Sequence, residues 1–136
     1  MYKLLEALDG VRTSQGQRLL VDLVPTAEDI QVLRVVVEGR DEFPVYVSRD
    51  SQQLLCITYV WREAEIRPER RQELLEALVE LNLPMPLSSF SKVGDHYVIF
   101  GAMAPEPKVE DLVREIETLS DNTLTALEAL QEYFVA

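Results

Sequence analysis

The hydrophobic pattern of this chain changes period four times. Residues 17–24 and 31–38 carry Leu and Val in runs short enough for strands, and Pro25 stops the first. The second run is the stronger, because Val32, Val35, Val36 and Val37 are stiff β-branched residues suited to a pleated surface. Residues 43–48 and 53–61 read as two more strands, joined by turns at Gly39 to Glu42 and Arg49 to Ser51. Pro44 lacks an amide proton, which predicts a sheet edge or a strand start. Residues 26–29 form a polar link. Ahead of the strands, Leu4, Leu5 and Leu8 make one stripe of a short helix over residues 2–8, ended by Asp9 and Gly10.

The period then lengthens. Pro68 suits the first position of a helix, and Leu74, Leu75, Leu78 and Leu81 follow at helical spacing. Asn82 is expected as a left-handed helix end, with Pro84 and Pro86 barring continuation. Residues 87–103 return to strand character around Gly94-Asp95, a pair suited to a two-residue hairpin turn. A last helix is expected over residues 107–134, with Val109, Leu112, Val113, Ile116, Leu119, Leu127 and Leu130 on one face. Ser120 to Thr123 are poor helix formers, which predicts a bend or a restart capped by Ser120 or Asp121. The predicted order is α-β-β-β-β-α-β-β-α. Short connections imply antiparallel neighbours, so the expected fold is a single α+β domain over residues 1–136, a twisted, mainly antiparallel sheet flanked by helices.

Composition narrows the function. At 136 residues and 47% apolar content, the chain can bury a core without metals or crosslinks. Cys56 is the lone cysteine, so no internal disulfide forms. The first residues lack a basic leader and apolar run, and no segment reaches the ~20 apolar residues of a membrane span; a cytoplasmic location is expected. Twenty-four acids against 13 Lys and Arg give a formal net charge of −11. Such a field repels nucleic acid and anionic lipid, whose recognition rests on cations. Residues 104–136 hold eight acids against Lys108 and Arg114, a net of −6.

Candidate chemistry is sparse. His96 is the only histidine, so it has Asp95 and Tyr97 beside it but no partner histidine for a metal. Cys56 lies in an apolar strand, where a thiol acts as a small hydrophobe. Ser88, Ser89 and Ser91 lack a nucleophile elbow and read as exposed strand positions. Glu110, Asp111, Glu115 and Glu117 read as a solvated helix face. No phosphate loop, dinucleotide fingerprint or paired-cysteine motif occurs, and no cofactor or metal is expected. Arg62, Arg67, Arg70 and Arg71 cluster where the helix dipole disfavours cations; interleaved Glu63, Glu65, Glu69 and Glu73 make them a salt-bridged surface or a local partner contact.

Residues 87–102 and then Glu115-Ile116-Glu117-Thr118-Leu119-Ser120-Asp121-Asn122-Thr123 resemble the YjfI-like family of small bacterial proteins, most specifically over residues 86–131. The resemblance implies a bacterial cytoplasmic protein with no assigned activity. Relatives are similar to products encoded beside phage-shock-type coiled-coil proteins of the membrane-stress response, which implies a partner class. The element order also resembles class I type III secretion chaperones, homodimers that hold partner segments; this chain departs from them by its fourth strand before the second helix.

The expectation is therefore a non-enzymatic, cytosolic adaptor or chaperone-like protein that binds another protein. Arg70, Arg71, Tyr133, Phe134 and exposed parts of the last helix would make the contact, with a homodimer formed through a sheet edge or the second helix. The competing expectation is an enzyme or small-ligand binder with a cleft around the 87–103 hairpin, using His96, Asp95 and Tyr97.

Overall fold

A computed structural model describes residues 1–26 and 31–136. From the polar link, the part from Ala27 on lies outside the described residues. The elements are α1 (Tyr2–Leu8), β1 (Leu19–Val24), β2 (Val32–Val37), β3 (Val45–Arg49), β4 (Leu54–Arg62), α2 (Arg71–Leu81), β5 (Ser89–Val93), β6 (His96–Met103) and α3 (Val109–Ala129). Single 3-10 turns at Glu63–Glu65 and Pro68–Arg70 precede α2, and one at Gln131–Tyr133 follows α3. The predicted order and α+β class hold. Six strands form one sheet in the order β1-β2-β3-β4-β6-β5, and each neighbouring pair is antiparallel.

Strand side chains alternate between the two faces of a sheet. One face here presents Leu19, Val21, Leu33, Val35, Val37, Val45, Val47, Leu54, Cys56, Ile99 and Phe90, all buried in one core with Leu8 of α1, Leu74 and Leu78 of α2, and Leu112, Ile116 and Leu119 of α3. A register shift between Tyr59 and Trp61 swings Trp61 onto this same face, beside Tyr97. All three helices therefore feed one core on one side. The opposite face carries Leu20, Val24, Val32, Val36, Tyr46, Leu55, Ile57, Tyr59, Val98 and Phe100, and none of these belongs to that core.

Part of each of the sheet's two edges is plugged. On β1, the Leu19 amide donates to the Val11 carbonyl (2.8 Å), the Gly10 amide donates to the Leu19 carbonyl (2.8 Å), and the Val21 amide donates to the Asp9 carboxylate (3.1 Å). On β5, the Phe90 amide donates to Asn82 Oδ1 at 2.7 Å. Exposed amides on a strand edge invite pairing with another chain, and these groups remove that invitation.

Several local expectations need correction. Asn82 is not left-handed: its φ of −58° and ψ of −32° are helical, and its side chain guards β5 instead. The left-handed residue is Leu87, at φ 60°. Pro68 opens a 3-10 turn, and the α-helix proper begins at Arg71. Pro44 marks a strand start, because β3 is interior to the sheet. The last helix stops at Ala129. It runs unbroken through residues 120–123 because those polar groups find partners without leaving the helix. Thr123 Oγ1 donates to the Leu119 carbonyl (2.9 Å), Asn122 Nδ2 donates to the Pro86 carbonyl (2.9 Å), and Arg40 donates to Ser120 Oγ (3.0 Å) and Asp121 (2.7 Å). Ser88 is buried rather than exposed, accepting from Asn122 Nδ2 at 3.0 Å.

Gly94 supplies the positive φ, 63°, that the two-residue hairpin turn needs. Gly101 serves a different purpose. It lets α3 and the residue 87 loop approach β6, since a Cβ there would strike the Glu115 carboxylate and lie 2.9 Å from the Leu87 carbonyl. Gly101→Ala is expected to lower stability by about 1–3 kcal/mol through overpacking. Urea unfolding checks it, and an unchanged midpoint contradicts the close approach.

Candidate protein-docking surface

The uncovered sheet face is built by the same alternation that builds the core. In cross-strand rows, Leu20 faces Val36, Tyr46 faces Ile57, Ile57 faces Phe100, and Tyr59 faces Val98. Tyr46 and Tyr59 meet edge to face with centroids 6.0 Å apart, and Tyr59 meets His96 the same way at 5.6 Å. Leu20, Tyr59 and Val93 remain 46%, 43% and 50% exposed, Tyr46, Leu55, Ile57 and Phe100 are half-buried, and Val36 and Val98 are buried beneath their neighbours, so the face is an apolar surface only partly open to water. The charged residues in its strands are Asp22 and Arg34, directly opposite one another, and Arg62, which pairs with His96 at a corner. Among the described residues, no helix crosses this face.

The four residues singled out for partner contact lie elsewhere, on the helix side and its rim. Arg70 stacks over the Tyr133 ring, 4.5 Å from its centroid, and pairs with Glu73 (2.8 Å) and Glu132 (3.4 Å). The Phe134 ring lies 4.8 Å from Trp61, and the Phe134 carbonyl accepts from Arg67 Nε at 2.9 Å. Backbone bonds from Arg67 to Tyr133 and from Val135 to Glu65, both 2.8 Å, tie the terminal segment to the stretch before α2. Arg70, Tyr133 and Phe134 are thus brought together, in contacts internal to the chain. Arg71 turns away to Glu63 (3.0 Å), which also accepts from the Tyr97 hydroxyl (3.0 Å) and pairs with Lys92 (3.3 Å). Burial resists ionisation of Glu63, but the bonds from Arg71, Tyr97 and Lys92 win and hold its carboxyl below the ordinary range. Burial and Glu63 push the Tyr97 hydroxyl up.

His96 and Asp95 are neighbours, Nδ1 to Oδ1 3.2 Å. Arg62 Nε donates to His96 Nε2 at 3.2 Å, occupying the nitrogen that a general base would use. Tyr97 points to the opposite face of β6, so the hairpin trio does not converge. Between α2 and β5 lies an open groove of about 300 Å³ with Leu75, Leu78, Val79 and Phe90 along it and Arg71 and Lys92 at its rim. Both cations there are already paired with Glu63. Cys56 is buried, and burial, with Glu115 adding to it, pushes its thiol up to about 12, so it stays protonated. Among the described residues no group of three or more His, Cys, Asp or Glu stands where a metal could be held. Among them too, no helix is long and apolar enough to cross a membrane.

DUF2170, a family described as an uncharacterized protein conserved in bacteria, matches residues 1–134. The chain belongs to DUF2170. It is 30% identical over 87 residues to YjfI of Escherichia coli K12, a match covering 61% of this chain and 64% of YjfI; YjfI of E. coli O157:H7 matches equally. The match therefore spans less than two thirds of those relatives. The DUF2170 chain is also similar to the crystal structure of E. coli YbjN, proposed as a transcription regulator, with a TM-score of 0.58 and 15% identity over 85% of this chain and 86% of that one. That likeness carries the fold alone. The YjfI-like resemblance read from residues 86–131 is thereby confirmed at family level.

Two buried acids escaped the reading of α3 as a solvated acidic face: Glu115 and Glu117 are only 6% and 8% exposed. Glu117 is tied to the loop before β1, accepting from Ser14 Oγ (2.8 Å) and the Gln15 amide (3.2 Å). Burial opposes its charge, yet the bonds from Ser14, Thr13 and Gln15 prevail and hold its carboxyl low. Glu115 has no such donors among the described residues, and burial alone pushes its carboxyl up from 4.5. The two acids therefore act on stability with opposite sign. Glu117 stabilises above the unfolded value near 4.5, and that contribution is lost as pH falls through its lowered folded value. Glu115 destabilises increasingly as pH rises above 4.5. Glu117→Ala is expected to lose about 1–2 kcal/mol at pH 7, fading toward pH 3. Glu115→Gln is expected to gain stability at pH 7, the gain vanishing below pH 4.5. Urea titrations across pH check both, and changes of equal sign contradict the assignment.

Proposed function

We propose that this DUF2170 protein is a non-enzymatic cytoplasmic adaptor, chaperone-like in holding another polypeptide against the uncovered face of its sheet. The observation that carries this reading is the face itself: Leu20, Tyr46, Ile57, Tyr59 and Phe100 form a continuous apolar and aromatic surface outside the core. Aromatic and aliphatic side chains of this kind supply most binding energy at protein interfaces. Acceptors already held by the outward amides of Leu19, Val21 and Phe90 shorten the edge open to strand addition, which supports docking onto the face. The polar groups that chemistry would need are spent on one another. His96 takes a bond from Arg62, Tyr97 gives one to Glu63, and Arg71 and Lys92 close on that same carboxylate.

The competing reading, a small ligand in the groove beside Phe90, is separated by site-directed photocrosslinking in a bacterial host. A photoreactive residue at Tyr59 is expected to trap protein, while one at Gln72 on the outer side of α2 traps none. Tyr59→Lys, at a site 43% exposed and so compatible with folding, is expected to reduce capture through a second probe at Leu20. Retention of a metabolite through purification, with no crosslink from either face position, overturns the adaptor reading.

A further inference from the structure

We infer that the apolar cavity between the end of α2, the loop after it and α3 receives a segment of another protein that carries one bulky apolar side chain flanked by Lys or Arg. This surface lies on the helix side, apart from the sheet face, and its failure leaves the reading of that face untouched. Three observations point to the occupant.

The first is the cavity itself. Phe90 and Ala126 are buried at its floor, and Leu81, Thr125 and Ala129 stand exposed at its rim. Its volume is about 200 Å³. Small-molecule sites run from roughly 300 to 1,000 Å³ and enclose most of their ligand. This opening is smaller, and it suits a single anchoring side chain of the kind that dominates protein interfaces. It is also preformed. Pro84 and Pro86 fix their own backbone φ, and Asn122 Nδ2 on α3 donates to the Pro86 carbonyl at 2.9 Å. A pocket held open in this way loses little freedom when it is filled.

The second is the apolar border. Leu83 and Leu87, chain neighbours of the cavity residues Pro84 and Pro86, are 92% and 50% exposed. A ligand confined to the cavity leaves both in water. A polypeptide lying across the opening covers them.

The third is charge. None of the 13 Lys and Arg falls in residues 72–91 or 115–136, the two stretches that build the cavity, while acids recur in both. Glu115 and Glu117 are buried. Two cations reach in from outside, Arg70 to Glu73 and Glu132, and Arg40 to Asp121. Glu76 accepts from Gln72. Glu80 on α2 and Glu128 on α3 remain exposed, without an ion pair among the described residues. They precede the cavity residues Leu81 and Ala129, one on each bank. A segment with a cation on either side of its anchor meets both acids, and an acidic segment is repelled. A second copy of a chain with net charge −11 is the poorer match.

Fluorescence anisotropy and amide chemical-shift mapping of the full chain test the inference. The probes are a short synthetic amphipathic helix of Leu and Lys and its counterpart with Glu in place of Lys. The Leu/Lys peptide is expected to bind, more weakly as salt rises, and to shift the amides of Leu81, Met85, Thr125 and Ala129; the Leu/Glu peptide is expected not to bind. Thr125→Lys, at an exposed rim position, is expected to weaken binding about tenfold, with an unchanged circular dichroism spectrum and unfolding midpoint establishing that the variant folds. Glu80→Lys with Glu128→Lys is expected to weaken it about fivefold or more. Glu6→Lys with Glu42→Lys makes the same change in net charge at exposed sites elsewhere and is expected to change binding less than about twofold. Equal losses from the two double variants reduce the binding to unspecific attraction of a cationic peptide and overturn the inference. Shifts confined to the sheet-face strands overturn it as well. So does a dimer of the free chain that Thr125→Lys abolishes, because the cavity then belongs to a second copy.

Discussion

An antiparallel sheet sends alternate side chains to opposite faces, so a strand with apolar residues at consecutive positions makes two oily surfaces. In this chain β2 and β4 both do so, with Val35, Val36 and Val37 in one and Leu54, Leu55, Cys56 and Ile57 in the other. Three helices lie on one face only. That imbalance governs the molecule. It sets the position of the core, goes with the bulge that brings Trp61 round to the helix side, and leaves the second surface without a helix over it among the described residues.

Polar groups follow the same division. On the helix side they are fastened: Glu117 to the Ser14 loop, Asp121 to Arg40, Asn122 to the residue 86–88 segment, Glu63 to three donors. These links hold loops onto the helices and give the core a rigid rim. On the free face polar side chains are few, and Tyr46, Tyr59 and His96 are organised by ring packing instead. A rigid surface of this sort loses little conformational freedom when a partner arrives, which favours binding.

Much of this was legible in the chain itself. Element order followed from period changes and turn residues, because local backbone preferences and tertiary packing agree at Pro25, Pro44, Gly94 and the α3 stripe. Failures occurred where a distant group overrides local preference. Ser120 to Thr123 remain helical because Arg40 and the residue 86–88 segment lie across from them. Asn82 stays helical because Phe90 offers it an amide. Glu115 and Glu117 were read as solvated, yet the same interval that placed Leu112, Ile116 and Leu119 on the core also brings their stems inward. The uncovered face was harder still. The valine run marks a strand, but which side the helices choose depends on the β4 bulge and on connection geometry, neither of which has a local signature.

Asn82 shows how little such an arrangement asks of a side chain. Its oxygen alone meets Phe90, accepting and never donating there. An aspartate in its place would keep an acceptor at the same reach and add a charge that holds the amide more strongly. The guard on β5 is thus a matter of one well-placed lone pair, and the amide nitrogen of Asn82 is free of that duty.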